Sequence, residues 1–200
     1  LTVGLPPKLT AAVGMDALSH NLEAYCAPGY HPLADGIATE GIRLVSEHLE
    51  TAVVDGENID ARSGMMSASL MGATAFQKGL GAMHALAHPL GAHHALHHGL
   101  LNAILMPYVL QMNRPVIEAR MHRLGAYLSL DEPTFDGFLN WVLRIRASTG
   151  IPHTLGDVGL SDVNVALMAE LAIADPSAGT NPVTMTLENT KRLLEAAIGG

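Results

Sequence analysis

The stretch DARSGMMSASLMGATAFQ, residues 60–77, decides the fold class. Gly64, Ala68 and Gly72 recur every four residues, so in an α-helix they share one face. Small residues on one face let a neighbouring helix come close, although each glycine costs a helix about 1 kcal/mol relative to alanine. The spacing therefore predicts a central, buried helix over 60–77, with Asp60 as its N-cap. Met65, Met66 and Met71 lie at helical spacing and are expected in the core.

The flanking sequence reads the same way. Pro6-Pro7 opens a helix over 8–25, with Leu9, Val13, Leu18 and Leu22 as apolar markers, and residues 26–29 (CAPG) end it. His31-Pro32 opens a second helix to residue 49, with Leu33, Ile37, Ile42, Leu44 and Val45 inward. After residue 77 the pattern predicts helices over 83–88, stopping near Pro89 and Gly91, and over 99–112, kinked at Pro107. Others are expected over 115–128, 134–148, 162–174 and 187–198. No period-2 strand run, internal repeat or low-complexity tract interrupts them. Hydrophobic residues make up 48% of the chain but aromatics only 4%, so the core must be built from Ala, Leu, Ile, Val and Met, a mix that suits packed helices. The expected fold class is all-α, with residues 1–200 as one multi-helix domain.

Eleven Lys and Arg against nineteen Asp and Glu leave a net charge of -8, which lacks the basic footprint of a nucleic-acid binder. No run reaches the roughly 18 apolar residues of a membrane span, and the opening LTVGLPP has no basic region of a secretory signal. Cys26 stands alone, so neither an internal disulfide nor a CxxC zinc site is available, and a cytoplasmic setting is expected.

Histidine is the most unusual count: eleven, of which His84, His88, His93, His94, His97 and His98 fall within fifteen residues. Asp16 and His20 sit one helical turn apart, as do His84 and His88, His93 and His97, and His94 and His98. A lone Asp–His pair is ordinarily a plain hydrogen bond, but this density between apolar helices favours a buried metal site. Three or four protein ligands suffice for an open catalytic metal, and imidazole with carboxylate suits Fe(II), Zn(II), Mn(II) or Ni(II). Periodicity alone does not choose among the histidines. His31, His48, His122 and His153 stand singly and are expected to be structural or exposed, and Cys26 to be a small buried apolar side chain. The segment at residues 79–82 (GLGA) hints at a phosphate loop but has neither GxxxxGK[ST] nor GxGxxG.

Two longer strings carry a resemblance. Residues 14–25 (GMDALSHNLEAY) and 79–92 (GLGAMHALAHPLGA), continued by 98–107 (HGLLNAILMP), resemble the two signatures of the iron-containing (group III) alcohol dehydrogenases. The likeness covers the whole chain, including the turn at Ile151-Pro152. It implies the C-terminal, dehydroquinate synthase-like helical domain of that family. It further implies a metal held by Asp16, His20, His84 and His98, with Fe(II) first and Zn(II) or another divalent ion as the alternatives. His88 would correspond to a histidine beside nicotinamide and substrate, often assigned to proton relay, and His88 and His98 would face the cofactor. His93, His94 and His97 match no ligand position. NAD or NADP would be held by the family's N-terminal α/β domain, which nothing in these 200 residues resembles, so the chain alone is expected to be inactive. The implied reaction is reversible oxidation of a small alcohol to an aldehyde or ketone, by a homo-oligomer. Two rival readings are a metal-dependent hydrolase on a helical scaffold and a metal-binding module without turnover. Against the hydrolase, no His is followed directly by Asp.

Overall fold

A computed structural model describes residues 1–199, and all its regular structure is helical. The helices are α1 (Pro7–Cys26), α2 (Pro32–Val54), α3 (Ile59–Ala75), α4 (Ala82–His94), α5 (His98–Tyr127), α6 (Phe135–Ser148), α7 (Val165–Ala174) and α8 (Leu187–Gly199). Short 3-10 turns follow at Phe76–Lys78, Gly156–Val158 and Pro176–Thr180. Among the described residues, no helix is long and apolar enough to cross a membrane.

α1 is the spine. It packs on α2, α3 and α5, and its buried side chains include Met15, Leu18, Leu22 and Glu23. Proline at its first position starts it, as the sequence predicts. Its far end is fastened by cations: Lys78 Nζ and Arg120 donate to the Tyr25 carbonyl, a favourable charge at a helix C-terminus. α2 is capped by the imidazole of His31, whose Nδ1 accepts the Ala34 N–H at 3.2 Å. Leu33 does not turn inward; it is 70% exposed at the start of that helix.

α3 corrects the reading of its own sequence. The small face is real: a Cβ on Gly72 would lie 2.8 Å from both Asn21 Nδ2 and His20 Cβ, so α3 presses closely on α1. Yet α3 is peripheral, not central. Met66 and Leu70 are open to solvent, Met65 and Met71 only partly covered, and the N-cap is Asn58, which accepts the Ala61 N–H. Met65, Met66 and Leu70, with Leu5 and Val13, line an open, mainly apolar cavity of about 570 Å³.

Prolines break fewer helices than expected. α4 runs through Pro89 and Gly91 to His94, and Ala95, at φ 54°, ends it. The segments expected at 99–112 and 115–128 form one thirty-residue helix, α5, containing both Pro107 and Pro115. Burial of Leu86, Leu90, Leu101, Leu105, Val109, Ile117 and Leu124 against the common core outweighs the lost backbone bonds. The buried Arg146 of α6 donates to the Ile104 carbonyl, next to the Ala103 carbonyl that Pro107 leaves without a helical N–H.

Candidate metal centre

Three helix segments meet at the site. α1 contributes Asp16, His20 and, one turn on, Glu23. The first turns of α4 contribute His84 and His88. His98 opens α5, with Asn102 four residues later. Gly99 makes the meeting possible: a Cβ there would sit 2.9 Å from the Cβ of Asp16 and would strike the Ala12 carbonyl.

Asp16, His20 and His84 each offer a ligand atom, all within 4.8 Å of one another. Asp16 Oδ2 lies 4.0 Å from His20 Nε2, too far for a hydrogen bond. Two atoms each 2.0–2.2 Å from one ion stand roughly 3–4 Å apart, which is the separation seen. His98 falls outside that trio, but its Nε2 is 3.7 Å from Asp16 Oδ1. The rings are close: His20 stacks on His84 at 4.8 Å, and His98 lies 5.2 Å from His84.

One polar atom marks the centre of convergence. Asn102 Nδ2 lies 2.8 Å from Asp16 Oδ1, 3.2 Å from His84 Nε2 and 3.0 Å from His98 Nε2. An amide nitrogen has two hydrogens and here meets three ligand-type atoms, while Asn102 Oδ1 is buried without a partner among the described residues. Lone pairs gathered in this way fit a cation.

Glu23 prepares the set. Its Oε2 accepts the Gly81 N–H at 2.8 Å and faces His84 Nδ1 at 2.7 Å, and its Oε1 accepts the Met83 N–H at 2.7 Å. A carboxylate only accepts, so His84 Nδ1 carries hydrogen and Nε2 is left as donor for a metal. The charge of this buried carboxylate is met by the N-terminus of α4. Burial pulls the His84 imidazole down, but the hydrogen bond and charge of Glu23, joined by Asp16 and Asp175, outweigh it and raise its proton affinity. His20 and His98 move the other way. Burial lowers both, neighbouring imidazoles add to that, and Asp16 opposes it only in part.

His88 stays at the rim, 45% exposed. Its ring lies parallel to that of His98 at 5.3 Å, and its Nδ1 is 2.8 Å from Asp175 Oδ2. His93 and His94 end α4 and His97 precedes α5; all three are exposed and none joins the ligand trio. Of the single histidines, His31 caps α2, His153 meets Arg146, His48 packs against Gly64 and His122 is exposed.

Sequence reasoning missed Glu23, Asn102 and Asp175. Glu23 is seven residues from Asp16 and Asn102 four from His98, so same-face spacing offered a signal for both. For Asp175 there was none.

Residues 10–198 match the model of the Fe-containing alcohol dehydrogenase family, C-terminal part. The chain belongs to that family. It is 40% identical to the 4-hydroxybutyrate dehydrogenase of Cupriavidus necator over 207 aligned positions, covering 99% of this chain and 54% of that protein. Its structure superposes on that of a 1,3-propanediol oxidoreductase with a TM-score of 0.94 at 33% identity, covering 98% of this chain and 53% of the other. The sulfoacetaldehyde reductase of Bifidobacterium kashiwanohense, solved in complex with NAD+, gives 0.89 at 25% identity, over 99% and 52%. The chain thus spans about half the length of the curated relatives it matches.

Proposed function

We propose that these residues are the metal- and substrate-binding unit of a reversible, NAD- or NADP-linked dehydrogenase acting on small alcohols. The observation that carries this reading is the convergence of the Asp16, His20 and His84 ligand atoms, with the Asn102 amide against Asp16, His84 and His98. Asp16, His20, His84 and His98 would hold a divalent ion, Fe(II) first and Zn(II) next. The donor set suits it, with three imidazoles and one carboxylate whose negative charge favours a dication.

When bound, the metal supplies Lewis acidity at the alcohol oxygen and the nicotinamide supplies a hydride acceptor. The remaining work falls to the side chains of this chain. Glu23 keeps the His84 ring in one tautomer and one plane. His88, half-exposed beside His98, would take the hydroxyl proton, since an imidazole nitrogen with a free lone pair accepts one. The buried walls of α1, α4 and α5 keep water from the inner side of the cluster. NAD or NADP would be bound by an α/β unit outside these residues. The enzyme is expected to form homo-oligomers in the cytoplasm. No relative named above is named for hydrolysis, and nothing in the geometry favours that reading.

The test is elemental analysis of protein purified without added metal, paired with alcohol-dependent reduction of NAD and NADP by the product of the complete gene. About one metal per chain, lost in Asp16→Ala, together with turnover, is the expected result. A metal-free protein that oxidises alcohols at full rate would overturn it.

A further inference from the structure

Asp175 lies 87 residues from His88 and is brought to it by the last third of the chain. It closes α7 and caps the 3-10 turn Pro176–Thr180, where its Oδ1 accepts the Ser177 N–H at 2.8 Å. The far end of that turn is fastened down. Thr180 Oγ1 donates to the Leu80 carbonyl at 2.7 Å, in the approach to α4. The buried Asn181 accepts the Ala82 N–H at 3.0 Å and an Asn113 N–H at 2.9 Å. The carboxylate is therefore carried on a segment tied to α4 and α5, the same helices that carry His88 and His98. Its side chain is 14% exposed, whereas that of His88 is 45% exposed.

Asp175 can only accept, so the 2.8 Å contact puts hydrogen on His88 Nδ1 and leaves the lone pair on Nε2, at the opposite edge of the ring. His98, stacked parallel on the same ring, fixes its plane. Without the carboxylate, no neighbouring group described for His88 keeps the hydrogen on Nδ1. We infer that Asp175 is the positioning residue for His88, holding it as the Nδ1–H tautomer with Nε2 free to receive the substrate's hydroxyl proton. This rests on the dehydrogenase reading above. In the step, the O–H bond breaks and its electron pair stays on the alcohol oxygen. The proton goes to Nε2, the ring becomes an imidazolium, and its charge is met by Asp175, which keeps no proton of its own.

The test uses the product of the complete gene, loaded with Zn(II) so that histidine nitrogen resonances remain sharp. His88 is identified by comparison with His88→Gln. Wild type is expected to show the Nδ1–H tautomer at neutral pH. Asp175→Asn, with its oxygen kept on the Ser177 N–H, turns its amide N–H towards the ring and should favour Nε2–H, and Asp175→Ala should shift the tautomer the same way. Asp175→Ser retains a short cap for the Ser177 N–H but does not reach the ring. It should shift the tautomer as alanine does while melting near wild type, which separates positioning from loop stability. In turnover, Ala and Ser are expected to lower kcat about 10- to 100-fold, part of the roughly 10²–10⁴ a placed acid or base contributes, with metal content and KM unchanged. Asn, which presents a donor to Nδ1 and no charge to the imidazolium, should not restore the rate. An unchanged His88 tautomer in both Asp175→Ala and Asp175→Ser overturns the inference whether or not the protein oxidises alcohols. Absent turnover in wild type, with the tautomer shift present, overturns the dehydrogenase reading instead and leaves Asp175 as the group that sets the tautomer.

Discussion

His84 and His88 stand one turn apart on the same helix, yet they live in opposite surroundings. His84 is 1% exposed, and its Nδ1 is taken by a carboxylate that also holds two backbone N–H groups of α4. His88 is half-exposed and its carboxylate comes from a distant turn. The buried imidazole is fixed by its own helix end, so it suits a ligand that must not move. The open imidazole is held by one bond and faces solvent, so it suits a group that exchanges protons. Identical chemistry thus takes two roles, set by which carboxylate stands behind the ring and how much water reaches the front.

The sharpest way to break this contrast is to remove Glu23. Glu23→Ala strands the Gly81 and Met83 N–H groups and the Nδ1–H of His84 in the interior. We expect a loss of about 3–5 kcal/mol of folding stability, as three buried donors lose their charged acceptor, with a large loss of metal affinity. Glu23→Gln, which keeps one acceptor oxygen, should cost less and weaken metal binding about 10- to 100-fold. Urea unfolding with and without metal, and competition with a chelator, measure both. A Glu23→Ala protein with wild-type metal affinity would show that the buried end does not prepare the ligand.

At the open end the contrast sharpens to a choice between neighbours. His98→Ala should strongly reduce bound metal, because a lost imidazole removes a coordinate bond. His93→Ala, five residues earlier and exposed, should leave stoichiometry nearly unchanged. Elemental analysis of both variants decides, and equal losses would mean the wrong histidines have been chosen.

How much of this was legible in the sequence depends on range. The all-helical class, the start of α1 and the Asp16–His20 pair rest on spacing within one helix, and spacing is what a sequence displays. The prolines misled because their local cost is visible while the compensating burial of Leu86, Leu90 and Leu105 is not. The same holds for α3, where small residues announced a close neighbour on one face but could not say that Met66 and Leu70 on the other face meet no partner among the described residues. Helical spacing alone left the metal ligands undetermined; the family strings supplied the set. Glu23 lay inside one of those strings, but its function is a contact to backbone sixty residues away, which no periodicity encodes. Asp175 is the extreme case, brought to His88 by the packing of α7 and the turn after it on α4.

The smallest expected effect probes how dry the buried end is. Cys26 lies one turn beyond Glu23 on α1, at the inner side of the same cluster. It is fully buried, and burial pushes its thiol from 9.0 up to about 12, with Arg120 and Lys78 opposing only in part. At pH 8 the folded protein should therefore resist thiol reagents and react only on unfolding. The same shift has a sign in stability. The unfolded chain releases this proton near pH 9 and the folded chain holds it to about 12, so the folded state binds more protons across that window. Stability contributed by Cys26 is intact below pH 9 and falls as pH rises, by about 1.4 kcal/mol per pH unit. Other groups titrate there too, so the comparison is with Cys26→Ala. The difference between wild type and variant, from denaturant unfolding at pH 8, 9 and 10, should move against wild type by about 1 kcal/mol between the last two points, since the unfolded thiol is only half ionised at pH 9. A difference flat with pH, or a thiol that reacts in the folded protein at pH 8, would mean that water reaches the inner side of the site, and that His84 and His88 differ less in their surroundings than their exposures indicate.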